Sequence, residues 1–220
     1  ERYLGYYLNS PAYHNQLLPH IQGTKVSSIS RKAINTTKVV IPKSVTILGD
    51  CAFINCESLT TVNISNSITT IGSSAFYGCT SLELIEIGNN SCSIESYAFG
   101  NAGSQTGLVV GDYVTKSSLS KITSIKDNAF IDSNVKKIDL SSLSSIGKNA
   151  FKNCKMLEEV NLSSLTSLQS ESIFNGCVSL SNVTGAGQIT TVGKECFNGC
   201  KSLTSFESTK TTKVFDDAFR

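Results

Sequence analysis

Eight cysteines, two histidines and a few adjacent acids are the side chains of this sequence with chemistry to offer. Cysteine at this density suggests a disulfide framework or a zinc site first. Zinc needs ligand pairs at short spacing, and no Cys-x-x-Cys pair exists; the near pairs Cys51/Cys56 and Cys196/Cys200 have no companion histidine. Both histidines, His14 and His20, precede every cysteine by a wide margin. No serine or cysteine has an identifiable base placed to activate it. Glu158/Glu159 and Asp216/Asp217 are chain neighbours, so on a strand they face opposite ways and do not cooperate. Gly185-Ala186-Gly187 lacks the third glycine and the following helix of a dinucleotide loop. The sequence therefore assigns no catalytic, cofactor-binding or metal-binding residue, and the chain reads as non-enzymatic.

The elements that position these side chains emerge from the phenylalanines. Phe53, Phe76, Phe99, Phe130, Phe151, Phe174, Phe197 and Phe219 follow one another at gaps of 23, 23, 31, 21, 23, 23 and 22 residues. A period of this size marks a solenoid, in which no single unit buries its own apolar face. The residue before each Phe is small in most units: Ala52, Ala75, Ala98, Ala129, Ala150, Cys196 and Ala218, with Ile173 the exception. Five before it stands an aliphatic residue, Leu48, Ile71, Ile94, Ile125, Ile146, Val192 or Val214. Two after it come Asn55, Gly78, Asn101, Asp132, Asn153, Gly176 and Gly199, the residue types that tolerate positive φ, so each turn is predicted to close on a left-handed residue.

Three after the Phe come Cys56, Cys79, Ala102, Ser133, Cys154, Cys177 and Cys200. A slot shared by Cys, Ala and Ser selects small size and inward packing, which reads as buried free thiols. Bridges between neighbouring units, Cys56–Cys79 or Cys177–Cys200, stay open as an alternative, because adjacent coils approach the roughly 4.4–6.8 Å Cα separation a disulfide needs. Six after the Phe leucine is usual, as at Leu59, Leu82, Leu157, Leu180 and Leu203, and then comes an alternating pair: Val62/Ile64, Ile85/Ile87, Leu108/Val110, Ile138/Leu140 and Val160/Leu162, weakening to Val183/Gly185 and Phe206/Ser208. Alternation predicts a short strand with one face inward. The stretch around the Phe has helical or 3₁₀ spacing. The eight phenylalanines are predicted to form an internal column.

These residues carry a resemblance. IGSSAFYGCTSLELIEI (Ile71–Ile87) and IGKNAFKNCKMLEEVNL (Ile146–Leu162) resemble the BspA-like, or Treponema pallidum-type, leucine-rich repeat. The resemblance implies an α/β, strongly β-rich leucine-rich-repeat solenoid: parallel strands on the concave face, short helical or 3₁₀ turns opposite. It covers about residues 26–220 in about nine units, the first with Ala33-Ile34 in the Ala-Phe slot and Ile29 five before it. About eight extra residues near 111–120 (GDYVTKSSLS) are expected to form a loop or small hairpin. Residues 1–25 do not fit the repeat, and Leu4–Tyr13 resembles an aromatic insertion seen between units of bacterial members. Its tyrosines, Tyr3, Tyr6, Tyr7 and Tyr13, read as packing of that segment against the first units, with an interface as the alternative. The start at Glu1 without a basic-then-apolar leader, and the end just after Phe219, are expected of a processed chain or an excised piece.

Function follows only coarsely. A net charge of +2 with both signs scattered does not suit nucleic acid, and no apolar run approaches the roughly 18 residues of a membrane helix. The strand residues expected to line the concave face, the usual binding surface of a curved solenoid, are Thr61, Asn63, Leu84, Glu86, Lys137, Asp139, Glu159, Asn161, Asn182, Thr184 and Glu207. Asn63-Ile-Ser, Asn161-Leu-Ser and Asn182-Val-Thr match the glycosylation sequon there and are read as by-products of an Asn/Ser/Thr-rich sequence. The resemblance implies a bacterial cell-surface or secreted adhesion module whose partner is a host or microbial surface protein, or a glycan. A passive spacer or an intracellular scaffold is the alternative, the second favoured by unpaired thiols. Oligomeric state is open.

Overall fold

The protein is described by a computed structural model over residues 38–41, 43–64, 67–87, 91–105, 107–110 and 122–220. In chain order its strands are β1 (Lys38–Ile41), β2 (Ile47–Leu48), β3 (Thr61–Ile64), β4 (Thr70–Ile71), β5 (Leu84–Ile87), β6 (Cys92–Ile94) and β7 (Leu108–Val110). They continue as β8 (Ile122–Ile125), β9 (Val135–Ile138), β10 (Ser145–Ile146), β11 (Glu159–Asn161), β12 (Asn182–Thr184), β13 (Thr191–Val192) and β14 (Lys213–Val214). Every pairing is parallel and joins one coil to the next. The first sheet runs β1-β3-β5-β7-β9; a second runs β10-β8-β6-β4-β2. Two shorter ladders, β11-β12 and β13-β14, follow, with Leu168 bridged to Val192.

The alternating pairs Val62/Ile64, Ile85/Ile87 and Leu108/Val110 lie in the first sheet, and all six residues are buried. The second sheet has no counterpart in the sequence reading. It is built at the aliphatic residue five before each Phe, where only two to four residues pair and too little alternation exists to announce a strand.

Opposite the first sheet, the turn is a third ladder. Phe53 N–H donates to Ala75 O at 2.7 Å, Cys51 N–H to Ser73 O at 2.8 Å and Asn55 N–H to Tyr77 O at 2.6 Å, and the pattern repeats along the stack. The intervening amides close four-residue turns, as from Ala52 N–H to Gly49 O and from Ile54 N–H to Cys51 O. A continuous helix would use its amides within itself and leave none for the neighbouring coil. Alternating amides between turn and neighbour satisfies both, and it requires left-handed residues on each side of the Phe. The expected ones after it are left-handed, from Asn55 (φ 56) to Gly199 (φ 73). So are Cys51, Ser74, Tyr97, Asn128, Asn149, Ser172, Glu195 and Asp217 two before it, at φ between 54 and 60. That second set mixes residue types, so the ladder rather than local preference holds it. The one helical element among the described residues is the 3₁₀ turn Ala186–Gln188.

Within the core, neighbouring rings from Phe53 to Phe219 stack at 4.9–5.5 Å between centroids, tilted by no more than 15°. Those from Phe53 to Phe197 are buried, whereas Phe219 is 46% exposed. The 31-residue gap leaves the stack intact, with Phe99 and Phe130 at 4.9 Å, and the strand pairings that flank it each shift register by one residue, at Cys92/Ser93 and Leu108/Val109.

Candidate binding face

Register decides which outward side chains stand together. One row across the first sheet is Lys38, Thr61, Leu84, Val109, Lys137, and the next is Val40, Asn63, Glu86. Thr61, Leu84 and Val109 are half-buried and Lys137 is exposed. Asn63 Nδ2 donates to Glu86 Oε2 at 2.5 Å, which cross-links neighbouring coils on the surface. The rows surround a small apolar centre, Leu84 and Val109, with amide, carboxylate and ammonium groups.

The remaining outward residues separate from this group. Glu159 pairs with Asn182 and Asn161 with Thr184, but in the ladder β11-β12, which is not hydrogen-bonded to β9. Glu207 is exposed and lies in no strand. Its neighbours Phe206 and Ser208 replace an alternating aliphatic pair, so nothing pins that segment as a strand. Asp139 and Asn161 have a local job: Asp139 Oδ1 accepts from Ser141 N–H at 2.9 Å and Asn161 Oδ1 from Ser163 N–H at 3.0 Å. Each closes the bend that leaves its strand. The signal was in the sequence, in the shared Asp/Asn-Leu-Ser of both positions.

The thiols face inward. All eight cysteines are free. In the slot three after the Phe, Cys79, Cys154, Cys177 and Cys200 each donate Sγ–H to a phenylalanine carbonyl of the preceding coil, at 3.0–3.1 Å. That carbonyl acceptor explains why a weak donor suits the slot. A hydrogen bond with Cys56, then burial, raises the Cys79 thiol well above its ordinary range. Burial, then Cys154, does the same to Cys177, and burial pushes Cys92 and Cys200 up to about 12. Such thiols stay protonated near neutrality and make poor nucleophiles. No group of three or more His, Cys, Asp or Glu side chains among the described residues could hold a metal ion. Glu158, Glu159, Asp216 and Asp217 are all exposed, and Gly185-Ala186-Gly187 leads only into the 3₁₀ turn. His14, His20, the tyrosines of residues 1–25 and the 111–120 insertion lie outside the described residues.

The family model described as BspA type leucine rich repeat region matches residues 24–118 and 123–220 in six copies. The chain belongs to the BspA-type leucine-rich-repeat family. A crystal structure of the T. pallidum leucine-rich-repeat protein shares this fold: TM-score 0.55, 24% identity, covering 80% of this chain and 86% of that one. A leucine-rich-repeat protein from Bacteroides ovatus is 26% identical, with TM-score 0.44, over 82% of this chain and 55% of that one. A leucine rich cell surface protein from Faecalibacterium prausnitzii is 19% identical, with TM-score 0.34, over 92% and 83%. Among curated proteins none matches. Leucine-rich-repeat solenoids are in general protein-binding folds, and no described helix is long and apolar enough to cross a membrane.

Proposed function

We propose that the chain is the binding module of a bacterial cell-surface or secreted adhesion protein and engages a host or microbial surface protein through the outward side of the first sheet. The observation that carries this reading is the in-register cluster of Leu84 and Val109 bordered by Asn63, Glu86 and Lys137. An apolar centre inside a polar rim is the anatomy of a protein interface. The five hydrogen-bonded strands hold it rigid, which lowers the ordering cost of binding.

The test is an array of purified extracellular-matrix and bacterial surface proteins probed with the chain and with a Leu84→Arg/Val109→Arg variant. Retention of a partner by the parent and its loss in the variant is expected, with both chains melting alike. Retention of no partner, or equal retention by both, sinks the reading. The eight free thiols support a second reading, an interaction scaffold in a reducing compartment. Protease treatment of intact cells separates the two: a surface module is cut and an internal scaffold is spared.

A further inference from the structure

The turn edge of the solenoid is divided by charge, and the division points to a second docking surface. Turns 49–57, 72–80, 95–103 and 126–134 carry Asp50, Glu57, Glu95, Asp127 and Asp132 against the single base Lys126. The same turns expose Tyr77 (37%) and Tyr97 (43%) in adjacent coils. Turns 147–155, 170–178 and 193–201 instead carry Lys148, Lys152, Lys155, Lys194 and Lys201 against Glu171 and Glu195, and no aromatic side chain but the buried spine ring.

The acidic groups are held in place. Asp50 Oδ1 accepts from Ser73 N–H at 3.0 Å and Asp127 Oδ1 from Lys148 N–H at 2.8 Å, so each carboxylate is fixed to the following coil. Asp132 Oδ1 accepts from Asn153 Nδ2 at 2.9 Å. Tyr77 is held as well. Its Cδ2–Cε2 edge lies over Gly100, where a Cβ would come within 2.7 Å of the ring. The glycine therefore makes the seat for that ring. Asp50 and Asp127 are three coils apart, roughly 15 Å at one strand spacing per coil, with the two tyrosines on the intervening coils.

We propose that this strip docks a Lys/Arg-rich segment of a partner protein, distinct from the surface of the first sheet. Cationic side chains lie on the faces of Tyr77 and Tyr97, and the fixed carboxylates pair with neighbouring cations. The excess of negative charge repels nucleic acid and other polyanions, and the fixed rings and carboxylates reduce the ordering a bound segment imposes.

The full chain is titrated with fluorescein-labelled deca-arginine at low ionic strength, with a Gly-Ser peptide of equal length as control. Asp50→Asn/Asp127→Asn/Asp132→Asn keeps every acceptor oxygen named above and removes the charge. Glu83→Gln/Glu158→Gln/Glu207→Gln removes the same charge elsewhere, at exposed positions. The first triple is expected to weaken deca-arginine about tenfold, the second less than twofold, and Tyr77→Leu/Tyr97→Leu about threefold. Hydrogen-exchange protection is expected in turns 49–57 and 126–134. Equal weakening by the two triples marks diffuse attraction and overturns the proposal. So does a self-associated chain that Lys148→Glu/Lys152→Glu dissolves, since the occupant is then a second copy.

Discussion

The coils around Phe53–Phe130 and those around Phe151–Phe219 share one interior and differ outside it. In the first group the strand pairs are complete, as in Val62/Ile64 and Ile85/Ile87, and their strands join a single five-stranded sheet. In the second group the pair decays from Val160/Leu162 to Val183/Gly185, and β11 and β12 form a two-stranded ladder apart from that sheet. Yet ring stacking is the same on both sides, 4.9 Å for Phe99–Phe130 and 5.3 Å for Phe174–Phe197. The column and the turn ladder therefore set the coil, and the first sheet ends after β9 although the next coil keeps the buried pair Val160/Leu162.

That comparison can be broken first at the column. Phe151→Ala empties a buried site between two stacked rings and is expected to cost about 3–5 kcal/mol. Phe219→Ala, at a ring 46% exposed, is expected to cost less than about 1 kcal/mol. Urea melts of both variants check this, and equal losses would remove the column as the organising feature.

Two glycines of the second group sharpen the comparison next. A Cβ at Gly193 meets Ser170 O at 2.5 Å and Gln169 O at 2.7 Å, both backbone, so Gly193→Ala is expected to cost about 1–3 kcal/mol. Gly187 has nothing within 4 Å, and Gly187→Ala should stay within about 0.5 kcal/mol of the parent by thermal melt.

The thiol slot gives a pH effect. Burial raises Cys92 and Cys200 to about 12, above an unfolded value near 8.5. The folded state then keeps protons that the unfolded state releases, so their contribution is fully present below about 8.5 and is lost as pH rises toward 12. Urea midpoints should fall between pH 8.5 and 10.5, and less so in Cys92→Ala than in the parent. A flat profile would place these thiols in a wetter setting.

The smallest effect is expected at the exposed pair Lys148–Glu171, 2.7 Å apart. Each group favours the charged form of the other, Lys148 raised and Glu171 lowered by their mutual hydrogen bond. Lys148→Ala should nevertheless leave the melting midpoint unchanged, because solvent screens such a pair.

Much of the interior was legible in the sequence because each interior position is repeated. Phe, the small residue before it and the Asn/Asp/Gly after it recur often enough that packing and backbone demands show through. The left-handed residues two before the Phe were not legible: Cys51, Asn149 and Glu195 share no chemistry, and hydrogen bonds to the next coil hold them there. The candidate face was legible as a set of outward positions but not as a grouping. Register joined Leu84 to Val109 and Lys137, while the break after β9 separated Glu159, Asn161, Asn182 and Thr184 from them.

Sequence alone determined the coil, because period and residue size act within one unit and are stated again in each. Tertiary structure decided what lies between units: the second sheet, the alternating hand of the turn, the thiol bonds to phenylalanine carbonyls and the acidic aromatic strip. Those features arise from hydrogen bonds and neighbours about 23 residues apart in the chain, where no local preference records them.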